Sequence, residues 1–117
     1  FGKYSVYSHA GKKTPPDLYD YLDMIEKNDA GEIMINLVDL DGMQNGYDFK
    51  IAGKISERYS MPVTWCGGCS GFEDMRNLIE NTQVSAAAAG SFFIYKGALQ
   101  AVLINYPQPE EIGSIKV

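Results

Sequence analysis

The chain has 117 residues, of which 45% are hydrophobic and 21% are charged, a composition typical of one compact domain with a buried core. Fifteen acidic residues against ten basic ones give a net charge of -5 at pH 7, and the lysines are scattered along the chain. This pattern argues against nucleic acid or an anionic membrane surface as a partner. No apolar run approaches the roughly 20 residues that cross a bilayer, so we expect a cytoplasmic protein.

Hydrophobic patterning predicts alternating strands and helices with no linker, and therefore a single domain over residues 1–117. The predicted strands cover 4–8, 32–39, 62–65 and 84–89. The second of these is almost continuously apolar, as expected of a strand covered on both faces. The first helix is predicted to be capped by Thr14, with Pro15 in its first turn and Asp17 where a capping carboxylate helps. Leu22 is expected on its apolar face, and its end is expected at Gly31.

Three further helices are predicted between and after the later strands. The second is capped by Asp48, and its apolar face is formed by residues at helical spacing: Ile51, Ala52, Ile55 and Tyr59. Ser70 and Glu73 predict a capping box for the third, and the last helix is expected over 98–104, before Pro107. A strand followed by three βα units predicts an α/β fold with parallel strands and right-handed crossover helices.

Glycines follow the last two predicted strands, at the strand ends where parallel α/β folds bind ligands. Gly67 and Gly68 follow the third strand, and Gly90 and Ser91 follow the fourth. Glycines let a ligand approach main-chain N–H groups, so the two segments together could hold a phosphate without an arginine. Tight turns explain paired glycines equally well, and a helix cap is the alternative role for Ser91.

Two carboxylates stand at the end of the second predicted strand, Asp39 and Asp41, on the same side of the strand and at the predicted ligand site. Either could transfer protons, while turn formation is the structural alternative for both. The only histidine, His9, has no neighbouring acid to orient it, and we interpret it as a surface residue.

Cys66 and Cys69 form a C-x-x-C motif at the end of the third predicted strand. Delivery of this motif to a helix amino terminus is the thioredoxin arrangement, in which Cys66 would be the nucleophile and Cys69 the resolving thiol. Two cysteines without a second pair or nearby histidines cannot complete a tetrahedral metal shell. We therefore predict no metal and no cofactor, and retain a thiol oxidoreductase as an alternative function.

Several segments resemble, in order, the carboxyl-terminal half of the cyclase subunit of imidazole glycerol phosphate synthase. They are 11–14, 30–33, 39–42, 46–48, 61–63, 67–68 and 88–93. The segment from Gly90 to Gly97 and the Ala-Val-Leu-Ile-Asn-Tyr-Pro run at 101–107 are more similar to the cyclase-like proteins of surface-polysaccharide amino-sugar amidation. The resemblance covers residues 4 to 107.

The resemblance implies half of a (β/α)8 TIM-type barrel that takes ammonia from a glutaminase subunit and binds a phosphorylated intermediate. It assigns the phosphate to two pairs of residues, Gly67 with Gly68 and Gly90 with Ser91. It places Asp41 at the mouth of the active site, and it makes Gly11 and Lys12 part of the mobile loop that closes over the substrate.

The chain also departs from that family. Cys66 and Leu40 stand where the family has a serine and an arginine, and the two principal catalytic aspartates belong to strands that this sequence does not include. We therefore expect a half-barrel that binds phosphate or a sugar phosphate without full cyclase activity on its own. An interaction or regulatory module that docks on a cyclase or glutaminase is the alternative.

A half-barrel has an unpaired strand at each edge of its sheet and an apolar inner face, both of which promote association. We therefore predict a homo-oligomer, a dimer or higher, in which copies of the chain complete the barrel.

Overall fold

The computed structural model describes residues 4–7, 16–104 and 106–116. The chain divides into two compact units, Phe1–Gly31 and Glu32–Val117. The predicted substrate-loop residues Gly11 and Lys12, the cap Thr14 with Pro15, and the lone His9 lie outside the described residues.

The first unit contains helix α1, Leu18–Lys27, whose inward residue Leu22 is buried as predicted. The helix begins after Asp17, whose carboxylate accepts a hydrogen bond from the Tyr19 N–H. The predicted capping carboxylate of Asp17 is thus confirmed, whereas Thr14 as the cap was wrong. It ends at Asn28 rather than at Gly31, because Asp29 adopts a left-handed conformation (φ 57°) that breaks the helix.

The strand predicted over 4–8 is absent from the described part of that segment. Residues 4–7 contain only one isolated antiparallel bridge, between Ser5 and Asp17. The ladder stops because Pro16 has no N–H to donate and the chain turns into α1 at Leu18.

The second unit is built on a parallel three-stranded sheet in the order β1-β2-β3. The strands are β1 (Ile33–Asn36), β2 (Val63–Cys66) and β3 (Ala86–Ala87). Helix α2 (Phe49–Arg58) joins β1 to β2, and α3 (Phe72–Asn81) joins β2 to β3. Adjacent parallel strands joined in succession by helices confirm the predicted α/β organisation.

Both crossover helices lie on the same face of the sheet, because the strand order never reverses and such crossovers share one hand. The core beneath them is the predicted apolar set together with β2 and α3: Ile51, Ala52, Ile55, Tyr59, Val63, Trp65, Met75 and Leu78. On the other face Met34 is 64% exposed, so the prediction that β1 is covered on both faces was wrong. One covered face and one open face are what a segment of a barrel wall has.

One of the two helix caps predicted in this unit is confirmed and the other was wrong. Asp48 caps α2 as expected, accepting a hydrogen bond of 3.1 Å from the Ile51 N–H. The capping box of Ser70 and Glu73 was wrong, because Gly71 is the N-cap of α3 and the Glu73 carboxylate instead pairs with Arg76.

Residues after β3 depart from the predicted helix over 98–104. A short helix α4 (Ser91–Ile94) is followed by an antiparallel hairpin of β4 (Tyr95–Lys96) and β5 (Ala101–Val102). Left-handed conformations at Gly97 (φ 73°) and Gln100 (φ 50°) make the turn. Helix α5 (Pro109–Gly113) then follows, in a segment for which the sequence predicted no helix.

Candidate functional site

The loops at the carboxyl ends of β1, β2 and β3 surround a small cleft that is partly open to solvent. Its walls come from three loops, and the lining residues are Asp41, Gly42, Gln44, Gly67, Gly68, Cys69, Ala89, Gly90, Ser91 and Phe92. All four residues predicted to bind phosphate are in this set, although they come from two different loops. No lysine or arginine lines the cleft among the described residues, and Asp41 is the one charged residue of the lining.

Gly67 and Gly68 have left-handed backbone conformations, with φ of 97° and 99°. A Cβ atom at Gly68 would overlap the carbonyl oxygen of Gly46, and one at Gly67 would stand 2.7 Å from the Leu37 carbonyl oxygen. The Gly46 N–H donates a 2.7 Å hydrogen bond to the Gly68 carbonyl oxygen, which fixes the two loops against each other. Glycine is therefore needed here for close approach of two backbones, as well as for the turn.

Gly90 differs from this pair, because its φ of -111° suits any residue and a Cβ there would meet nothing within 4 Å. Gly90 therefore lines the cleft with open space beside it, and no other residue packs against it at the Cβ position. Ser91 begins α4, and its hydroxyl oxygen is 3.6 Å from the position that a Cβ on Gly42 would occupy. The two loops thus face each other across the cleft.

The two predicted carboxylates are separated by the structure. Asp41 lines the cleft, whereas Asp39 is exposed and is not among the lining residues. The Asn36 side chain donates a 3.3 Å hydrogen bond from Nδ2 to Oδ2 of Asp41. Asn36 was missed by the sequence analysis, although the period of two along β1 places it on the same face as Met34, at the cleft end.

The two cysteines occupy the strand end and the loop, but they do not open a helix. Cys66 is the last residue of β2, and α3 begins only at Phe72, so the predicted thioredoxin arrangement was wrong. Burial raises the pKa of the Cys66 thiol, with the nearby Asp41 charge adding to the shift. Burial likewise raises the pKa of Cys69, and the Asp74 charge adds to it. Thiols that hold their protons are poor nucleophiles, which disfavours the redox alternative.

Tyr47 connects loops that the sequence analysis treated separately. Its side chain is buried, and its hydroxyl donates a 2.7 Å hydrogen bond to the Ala88 carbonyl oxygen, directly before the Ala89–Phe92 wall of the cleft. Its N–H donates to Oδ2 of Asp74 at 3.2 Å. Burial raises the pKa of the Tyr47 hydroxyl, and the adjacent Cys69 thiol raises it further. The sequence analysis assigned Tyr47 no contact, because partners 27 and 41 residues away leave no local pattern.

Within the described ranges, no three histidine, cysteine, aspartate or glutamate side chains cluster in a way that could hold a metal ion. Among the same residues, no helix combines the length and the apolar character needed to span a membrane.

Comparison with known proteins agrees with this architecture. Residues 2–100 match the model of a family described as histidine biosynthesis protein. The chain belongs to this family. Members of the histidine biosynthesis family have the (β/α)8 barrel fold, and the parallel strands with helices on one face form part of such a barrel.

Individual relatives of the chain are named as subunits of one synthase. The chain is 40% identical over 110 residues to a candidate imidazole glycerol phosphate synthase subunit HisF of Leptospira interrogans, covering 93% of this chain and 43% of the relative. It is 39% identical over 100 residues to a candidate subunit hisF3 of Vibrio vulnificus, covering 86% and 38%. It is 37% identical over 93 residues to the subunit HisF of Dehalococcoides mccartyi, covering 79% and 37%.

These matches confirm the resemblance to this synthase subunit that the sequence motifs predicted. The chain spans about two-fifths of the length of the curated relatives it matches, which agrees with a half-barrel.

Proposed function

We propose that this member of the histidine biosynthesis family binds the phosphate group of a phosphorylated metabolite, such as a sugar phosphate, in the cleft at its strand ends. The observation that carries the proposal is that Gly67, Gly68, Gly90 and Ser91 line one cleft although two of them lie more than 20 residues from the others. The missing side chain at Gly90 leaves open space at the cleft, so a ligand could approach main-chain groups there. Many folds bind phosphate through main-chain dipoles without a cation.

The Asp41 carboxylate is the group on this cleft that could transfer a proton to or from the bound metabolite. Asn36 holds one of its oxygens, so the carboxylate has a defined orientation at the cleft wall. Asp39 has no such position, and we assign it no role. We propose that the chain on its own lacks full cyclase activity, because one carboxylate does not supply both the acid and the base of a ring closure.

Inorganic phosphate tests the proposal through thermal stability. A ligand at ten times its Kd stabilises the folded state by about 1.4 kcal/mol, which raises the Tm of a domain of this size by a few degrees. We expect this rise for the unmodified chain at millimolar phosphate, compared with chloride at equal ionic strength. An unchanged Tm would contradict phosphate binding.

Two glycine substitutions locate the effect. Gly90→Leu projects a side chain into open space at the cleft, so it should leave the fold intact and abolish the phosphate-dependent rise in Tm. Gly113→Leu is the matched control, because a Cβ at Gly113 also meets nothing within 4 Å and Gly113 lies in α5, outside the cleft lining. A Gly90→Leu chain that still responds to phosphate would place the ligand elsewhere.

Docking on another protein is a second candidate, since the relatives are named as subunits of a synthase. We propose that a glutaminase or a complete cyclase subunit is the partner in that case. Co-purification of the tagged chain with each partner tests this, and no complex at micromolar concentrations of both would contradict it.

A further inference from the structure

The Asp74 carboxylate receives hydrogen bonds from two separate segments of the chain. Its Oδ2 accepts from the Ser70 N–H at 3.1 Å and from the Ser70 hydroxyl at 3.2 Å. The same oxygen accepts from the Tyr47 N–H at 3.2 Å. Hydrogen bonds to an ionised carboxylate are roughly twice as strong as neutral ones, so one oxygen joins the two segments firmly.

Helix capping explains only part of this arrangement. Asp74 is the third residue of α3, where a carboxylate commonly accepts from N–H groups just before the helix, and Ser70 is such a neighbour. Tyr47 is 27 residues earlier in the chain and belongs to the loop between β1 and α2. Its bond to Asp74 therefore fixes one loop to another and goes beyond capping.

The segments that meet at Asp74 are those that form the cleft. Tyr47 lies in the same β1–α2 loop as Gly42 and Gln44, and Ser70 directly follows Gly67–Cys69. The Tyr47 hydroxyl holds the third wall through the Ala88 carbonyl oxygen. Asp74 is not itself a lining residue.

We propose that Asp74 is a positioning residue, which holds the β1–α2 and β2–α3 loops at the separation that phosphate binding requires. The inference rests on the proposed function. It predicts that removing the carboxylate loosens the cleft while the sheet and its helices keep their structure, because the bonds that are lost join two loops and lie outside the strand pairing.

Three variants test the proposal with inorganic phosphate as the probe, its Kd measured by NMR titration. Asp74→Ala should weaken binding about tenfold, since it removes the acceptor of several charge-assisted bonds. Asp74→Asn keeps an oxygen acceptor and should recover most of the affinity. Glu73→Ala, the control, removes an equal charge from the same helical turn and should bind phosphate like the unmodified chain. Unchanged affinity in Asp74→Ala would overturn the proposal, as would equal losses in Asp74→Ala and Glu73→Ala.

Amide hydrogen exchange gives a second measurement that needs no variant. In the unmodified chain the Tyr47 amide should exchange more slowly than that of Asn45 in the same loop, and phosphate should slow it further. Exchange at Tyr47 as fast as at Asn45 would overturn the proposal, even if Asp74→Ala failed to fold. If the unmodified chain does not bind phosphate but the Tyr47 amide is protected, the proposed function fails and the junction itself stands.

Discussion

Single side chains at the cleft have unusual protonation behaviour because the loops bury them without giving them a counter-charge. Cys69 is buried and Cys66 is half-buried, and the carboxylates that act on these two thiols are Asp74 and Asp41, respectively. Burial and negative charge both oppose formation of a thiolate, so each thiol stays protonated to a higher pH than in the unfolded chain.

This burial predicts how stability depends on pH. An unfolded thiol has a pKa of about 8.5, and both folded-state values are raised, so unfolding releases protons in alkaline solution. The contribution of the thiols is fully present below about pH 8.5 and is lost as the pH rises through the folded-state values. The Tm should therefore fall between pH 8 and pH 10. A Cys66→Ser/Cys69→Ser chain should show a smaller fall, and an identical pH profile for the two chains would contradict the prediction.

At the scale of elements, contacts between loops position the site more than the strands do. The backbone of Gly46 rests directly on that of Gly68, and Asp74 and Tyr47 tie the same loops from the other side. The strands themselves are only two to four residues long. The separation of the cleft walls is therefore set by a few polar bonds and by the absence of side chains at two glycines.

The substitution Gly68→Ala tests how much the close contact between the Gly46 and Gly68 backbones matters for stability. A Cβ at Gly68 would overlap the Gly46 carbonyl oxygen, and the left-handed φ adds backbone strain, so the free energy of unfolding should fall by about 2 kcal/mol or more. Gly71→Ala is the control, since that position is extended (φ 172°) with nothing within 4 Å of a Cβ. Denaturant unfolding of the two variants compares them, and equal stabilities would show that the loops can move apart without cost.

Local patterns were sufficient for part of the fold and of the site. Helical spacing identified the buried face of α2, and Asp48 marked its first turn. The glycines and Asp41 were found because ligand sites in parallel sheets form where strands end. The hairpin after α4 was missed because an apolar run of four residues fits a strand or a helix equally well. The Tyr47 and Asp74 bonds were missed because their partners lie far away in sequence.

At the scale of the whole molecule, the three-stranded sheet of the second unit has open edges among the described residues. β1 and β3 are the outer strands of the sheet within the described residues, and the face opposite the helices exposes Met34. Unpaired strand edges and exposed apolar faces favour association, so we propose that copies of the chain form a dimer or a larger oligomer.

Light scattering on a sizing column tests this association. We expect a mass of at least two chains at micromolar concentration, and Met34→Glu should shift it toward one chain by placing a charge on the open face. Met24→Glu is the control, because Met24 is an exposed methionine of α1 in the first unit. A monodisperse monomer for the unmodified chain would contradict the proposal.

The only tryptophan, Trp65, is completely buried in β2, and its indole N–H has no hydrogen-bond partner in the part of the chain that the structure describes. Its fluorescence should therefore be blue-shifted in the folded chain, and it reports on the second unit alone. Circular dichroism also records α1 in the first unit. Coincident unfolding curves from the two signals would support one cooperative domain, whereas separate curves would show that the two units unfold independently.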